Sequence, residues 1–115
     1  MEESCIFCRI ASGGVPARVA FEDDEVFAFH DIDPRAPVHV LIIPREHIAS
    51  LNVLTDGHGA LVGKLHLTAK RLASELGVSD SGYRLVMNCG ADAGQSVDHV
   101  HLHLLGGRPL KWPPG

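Results

Sequence analysis

The stretch His99-Val100-His101-Leu102-His103-Leu104-Leu105 decides how this chain is read. Successive side chains of a strand point to opposite faces, so a strand here puts three imidazoles on one face and Val100, Leu102 and Leu104 on the other. The apolar set supplies core. The imidazoles titrate near neutrality and need hydrogen-bond partners, so three of them on one face use core-forming positions at a cost that a purely structural strand would not bear. Two chemistries use such a set: a metal site, since histidines at i and i+2 can ligate one cation, or catalysis by imidazole as nucleophile or acid and base. Immediately upstream, Asn88-Cys89-Gly90-Ala91-Asp92-Ala93-Gly94-Gln95-Ser96 is a glycine-bearing loop whose amides and Ser96 hydroxyl suit an anion held over the histidines. Glycine-rich loops usually serve only as turns; beside three histidines this one points to a phosphate.

Working outward, Val38 to Ile43 reads as a central strand, apolar on both faces apart from His39 and stopped by Pro44. Val19 to Phe21 and Val26 to Phe29 flank the polar turn Glu22-Asp23-Asp24-Glu25 in a hairpin pattern, and Asp31-Ile32-Asp33-Pro34 ends the second run. Tyr83 to Asn88 and Val100 to Leu105 bring the count to five strands. Residues 5 to 13 predict a short helix closed by Gly13-Gly14. Leu61, Leu65, Leu72 and Leu76 form a stripe at helical spacing over Asp56 to Leu76, with Thr55 as cap and Gly77 as stop. Strands joined by short turns favour an antiparallel sheet with the helices segregated to one side, hence an α+β class in one domain over residues 1–115.

The bulk numbers narrow the function. With 115 residues, 45% hydrophobic and 21% charged, the chain has ordinary globular values. A formal charge of −4 without a basic run argues against nucleic-acid binding, which needs clustered Lys and Arg. The start, MEESCIFCRI, lacks the cationic and apolar regions of a signal peptide, and no stretch is long and apolar enough for a membrane helix, so the expectation is a cytoplasmic protein without membrane contact. The odd cysteine count, 3, suits free, redox-active or metal-bound thiols better than disulfides.

The run from His99 to Leu105 matches, at every position, the His-φ-His-φ-His-φ-φ signature of the histidine-triad family, where φ is apolar. Other matching stretches are Phe21-Glu22-Asp23-Asp24, Ala28-Phe29-His30-Asp31-Ile32, Pro37-Val38-His39, Ile43-Pro44-Arg45-Glu46-His47-Ile48, Gly94-Gln95-Ser96 and Gly106-Gly107-Arg108. The chain resembles the branch of histidine-triad nucleotide-binding proteins. The resemblance implies a homodimer whose two five-stranded sheets join into a continuous ten-stranded one, with the C-terminus, here Trp112-Pro113-Pro114-Gly115, beside the partner's active site. It implies that His101 attacks the α-phosphorus of a purine nucleotide substrate and forms a nucleotidyl-histidine that water resolves to the monophosphate. The substrates it implies are adenosine or guanosine phosphoramidates and aminoacyl-adenylates. It gives catalytic roles to His103, His99, Ser96 and His39, phosphate contacts to Asn88, Gly94, Gln95 and Ser96, and ribose and base contacts to Asp31 and Ile32. His39 reads equally well as a satisfied core histidine. No metal is required for this chemistry. A nucleotide-binding scaffold with incidental hydrolysis is the alternative from another class, and a metallohydrolase using the triad as ligands is a third.

Cys5 and Cys8 pair suggestively with His47 and His99, since two thiolates and two imidazoles make a closed tetrahedral zinc set. Similar sets occur in some bacterial relatives. The alternative makes the cysteines small apolar residues on a buried helix face and His47 a solvated turn residue. His58 and His66 on the long helix read as surface or boundary residues, Cys89 as a small buried hydrophobe, and Trp112 as an interface anchor. Asp98 stands directly before the triad, where related chains often carry an aromatic residue.

Overall fold

Two strands with apolar side chains on both faces set the architecture of the computed structural model, which describes residues 3–115. They are β2 (Val26–His30) and β3 (Val38–Pro44); the others are β1 (Val19–Glu22), β4 (Tyr83–Val86) and β5 (Leu102–Gly106). All neighbours pair antiparallel in the order β1-β2-β3-β5-β4, so β3 is central, as its two apolar faces require. The α+β class with a five-stranded antiparallel sheet, one long helix and one short N-terminal helix is the fold observed. Among the described residues no helix is long and apolar enough to cross a membrane.

The long helix α2 (Gly59–Glu75) covers one face, burying Leu65, Ala69 and Leu72 on Val26, Ala28, Val40, Ile42, Val100, Leu102 and Leu104. The short helix α1 (Ile6–Ala11) covers the other, where Cys5, Phe7 and Cys8 pack with Phe27, Phe29, Leu41 and Ile43. The expectation that both helices lie on one side is thus corrected. Alternate residues of β2 and β3 form two apolar sets, and each must be covered. Phe7 meets Phe29 edge-on with ring centroids 5.5 Å apart. Truncating so buried an aromatic ring costs about 3–5 kcal/mol.

Three boundaries shift for identifiable reasons. The helix expected from Asp56 starts as a 3-10 turn, Asp56–His58, because the Thr55 N–H donates to His58 Nδ1 at 3.0 Å and the α-helix begins only at Gly59. His58 Nε2, which therefore carries the proton, lies 3.0 Å from Glu46, so this histidine joins α2 to the segment after β3. Strand β5 begins at Leu102 rather than Val100: the Val100 N–H donates to the Ile48 carbonyl at 2.7 Å, and the Pro44 carbonyl accepts from the His99 ring at 2.8 Å, so neither group enters the ladder. Ile42 opposite Leu102 is its last rung, and β4 correspondingly stops at Val86, opposite His103.

Candidate functional site

The strand alternation holds through the triad even where the ladder ends: Val100, Leu102 and Leu104 enter the α2-side core, and the imidazoles face α1. Their nitrogens then diverge. His99 is fully buried, donates from Nε2 to Pro44 O, and turns Nδ1 toward the sulfurs of Cys5 at 3.4 Å and Cys8 at 3.5 Å. His101 Nδ1 lies 2.7 Å from the His99 carbonyl. A carbonyl only accepts, so this nitrogen carries the proton, and in the neutral ring Nε2 keeps its lone pair.

His103 is reached through His39 on β3. The Arg35 N–H donates to His39 Nδ1 at 3.0 Å, which places the His39 proton on Nε2, 2.9 Å from His103 Nδ1. His103 therefore accepts at Nδ1 and presents Nε2–H as a donor. Burial first, then the neighbouring His101 and His39, push the His103 pKa down to about 4, so the ring is neutral at pH 7. Burial likewise lowers the pKa values of His39 and His99. A lone-pair nitrogen and an N–H donor thus stand two residues apart, with ring centroids 5.0 Å from each other.

Both rings line a cavity of about 810 Å³ together with Ser96, Asp31 and Ile32. Its remaining wall is largely apolar, from Ile6, Phe7, Ile10, Val15, Pro16, Phe29 and Leu41. On the His39 and His103 side of the cavity Asp31 accepts the Asp33 N–H on Oδ1 at 2.8 Å and keeps Oδ2 3.5 Å from His39 Nε2. Ile32 is 99% exposed and offers its side chain at the rim. His30 also lines the wall, with its pKa lowered by burial and by Arg18.

The loop contributes differently from expectation. The Gly94 N–H donates to Ala91 O at 3.0 Å and the Gln95 N–H to Gly90 O at 3.1 Å, so these two amides serve the loop itself. The Gln95 side chain is committed to the surrounding backbone, donating to Ala49 O and Val97 O and accepting from the Gly90 N–H. Among the described residues neither the N–H nor the hydroxyl of Ser96 has a protein partner, and Ser96 lines the cavity, whereas Asn88 and Gly94 are not among its lining residues. Phe7, edge-on to His101 at 5.1 Å and to His99 at 6.0 Å, is a site residue that sequence reading missed. Its place between Cys5 and Cys8 on a predicted buried helix face was the available signal.

Among the described residues two clusters have metal-ligand spacing. The ligand atoms of Cys5, Cys8, His47 and His99 lie within 4.8 Å of one another, and His47 Nδ1 is 3.3 Å from Cys8 Sγ. The fit is good in the outer shell too, because Pro44 O fixes the His99 ring with its Nδ1 lone pair facing the sulfurs. Asp31, His39 and His103 are equally close together, but the outer shell opposes a metal there. A metal on His39 Nε2 would put the proton on Nδ1, directly against the Arg35 N–H. That cluster is a hydrogen-bond relay.

Comparison with known proteins agrees with this layout. A family model described as HIT domain matches residues 12–110. An uncharacterised HIT-like protein of Synechocystis is 50% identical over 115 residues, the whole of both chains. The adenylylsulfatase HINT1 of Arabidopsis thaliana is 46% identical over 112 residues, 96% of this chain and 76% of the plant protein. The crystal structure of a HIT family hydrolase from Legionella pneumophila superposes with a TM-score of 0.96 at 52% identity, covering 97% of this chain and 100% of that one.

Proposed function

The chain belongs to the HIT domain family, and on that premise we propose that it is a purine nucleoside phosphoramidase or related nucleotide hydrolase. It cleaves P–N or phosphoanhydride bonds through a nucleotidyl-histidine on His101. One observation carries the reading: the His99 carbonyl holds the His101 proton on Nδ1, and so aims a lone pair into a cavity large enough for a nucleotide. Family relatives described as a hydrolase and as an adenylylsulfatase support a hydrolase with an adenylyl group as the transferred part.

The base lies against the apolar wall and Ile32, and Asp31 accepts ribose hydroxyls through the oxygen lone pairs that Asp33 leaves open. His101 Nε2 attacks the α-phosphorus, forming an N–P bond as the bond to the leaving group breaks. A leaving nitrogen departs as the amine after taking a proton supplied from solvent through the Ser96 hydroxyl. His103 Nε2–H and the Ser96 N–H bond the non-bridging oxygens as charge develops there, donors that need no reorganisation at that moment. Water then attacks phosphorus, the N–P bond breaks, one proton goes to solvent, and His101 regains its starting tautomer with the monophosphate free. The divergence of the three imidazoles favours this route over a metallohydrolase that uses all three as ligands.

Cys5, Cys8, His47 and His99 are the residues to hold a zinc, whose contribution when bound is a structural cross-link between α1 and the β3–β5 centre of the sheet. The proposal extends to a cytoplasmic homodimer with a ten-stranded sheet. The open edges of β1 and β4 and the 81% exposed Trp112 support the dimer, and the absence of a disulfide among the described residues suits a reducing compartment. Replacing His101 with Ala is expected to abolish monophosphate release from an adenosine phosphoramidate while AMP still binds; unchanged turnover would reject the reading.

A further inference from the structure

The loop that precedes the triad is closed by one side chain, and that side chain stands outside the cavity. Gln95 Nε2 donates to Ala49 O at 2.8 Å and to Val97 O at 3.0 Å, while its Oε1 accepts from the Gly90 N–H at 3.0 Å. Its backbone N–H returns to Gly90 O at 3.1 Å, so residues 90–95 form a ring held by both the main chain and the side chain of Gln95. Gly90 at φ +84° and Gly94 at φ +85° make the two bends that let this ring close. The anchor outside the ring is Ala49, in a segment tied down independently: Ile48 O accepts from the Val100 N–H at 2.7 Å, and His47 is 3.3 Å from Cys8. The next residue, Ser96, lines the cavity with His101 and His103, and among the described residues neither its hydroxyl nor its N–H has a protein partner.

We propose that Gln95 is a positioning residue that sets the Ser96 donors against the reacting phosphate by bracing the loop between Gly90, Val97 and Ala49. The inference rests on the hydrolase reading above. Every hydrogen bond of the Gln95 side chain is to backbone, so the residue acts through Ser96 and has no need to touch substrate. Without the brace the loop keeps only its main-chain bonds, Gly94 N–H to Ala91 O and Gln95 N–H to Gly90 O, and loses its tie to Ala49. A displacement of about 1 Å at a group that meets the transition state costs on the order of 100-fold in rate. The consequence concerns the phosphate end of the site and spares the apolar wall and Asp31.

The test is Gln95→Met, similar in volume but unable to make any of the three bonds, compared with wild type in turnover of an adenosine phosphoramidate and in calorimetric affinity for AMP and for adenosine. The expected result is a kcat lower by about 10- to 100-fold and weaker AMP binding, with adenosine affinity within about threefold of wild type. On a Ser96→Ala background the same substitution is expected to cost much less, since the two changes act on one contact. If Gln95→Met does not fold, Gln95→Asn, which keeps the amide but shortens its reach by one methylene, takes its place. Wild-type kinetics in a folded variant, equal losses for AMP and adenosine, or losses that multiply independently of Ser96 would each overturn the proposal. A wild-type protein that binds AMP but turns over no phosphoramidate would contradict the hydrolase reading, and the AMP-against-adenosine comparison would still decide the role of Gln95.

Discussion

Replacing His39 with Phe tests the relay that makes His103 a donor. His39 is only 6% exposed, so the ring space is refilled while two hydrogen bonds vanish: the 2.9 Å bond to His103 Nδ1 and the 3.0 Å bond from the Arg35 N–H. Leaving a buried acceptor unpaired costs about 1–3 kcal/mol. Part of that is lost stability. The rest falls on the transition state, because His103 no longer has its proton fixed on Nε2 when the phosphoryl oxygens gain charge. At about 1.4 kcal/mol per tenfold, kcat is expected to drop by roughly one to two orders of magnitude. KM should stay within about threefold, since the apolar wall and Ser96 are untouched and Asp31, although it loses its 3.5 Å contact with His39, is still held by the Asp33 N–H. His39→Gln, whose amide N–H reaches toward His103 Nδ1, should recover about tenfold. Steady-state kinetics, with nitrogen-15 shifts of His103 to report its tautomer, read both effects. Turnover of folded His39→Phe within threefold of wild type, with the His103 tautomer unchanged, would refute the relay.

Other outcomes follow from single features. The purified protein should carry about one zinc per chain by elemental analysis, and Cys8→Ser should lose the metal and lower the melting temperature; a metal-free wild type whose melting is unmoved by added zinc would contradict the cross-link. Gly107 sits at φ +93°, and a Cβ there would lie 2.9 Å from Pro37 Cβ, so Gly107→Ala should destabilise by about 1–3 kcal/mol in urea unfolding, and no change would show that the turn relaxes freely. The folded state depresses the His103 pKa from 6.5 to about 4, so it binds fewer protons than the unfolded chain in that window. The contribution is complete above about pH 6.5 and is lost as pH falls toward about 4, amounting to about 1–2 kcal/mol after discount for partial exposure. His103→Phe should flatten that part of the stability curve, and an unaltered slope would assign it to other groups.

The fold was legible because its signals are local and periodic. Val100, Leu102 and Leu104 alternate with the histidines, and β3 is apolar on both faces, which alone requires a central strand. That same reading held a clue left unused: Phe27, Phe29, Leu41 and Ile43 form a second apolar set, so a second layer had to cover them, and α1 does. The triad and the Cys and His cluster were legible as residue types at known spacings. What those nitrogens face was not, because it depends on backbone groups distant in sequence, namely Pro44 O, His99 O and the Arg35 N–H. What the Gln95 side chain braces was hidden for the same reason, since its partner Ala49 lies 46 residues away. Phe7 was legible as a buried helix residue between Cys5 and Cys8, but not as a neighbour of His101, because only the packing of α1 brings it edge-on to that ring.

The central claim is covalent catalysis at His101. Intact-protein mass spectrometry of briefly acid-quenched samples during turnover of an adenosine phosphoramidate, on wild type and on His101→Ala, tests it most directly. The account predicts a transient adenylyl adduct on wild type only, with AMP release lost in the variant; turnover without any adduct, or turnover by His101→Ala, would contradict it.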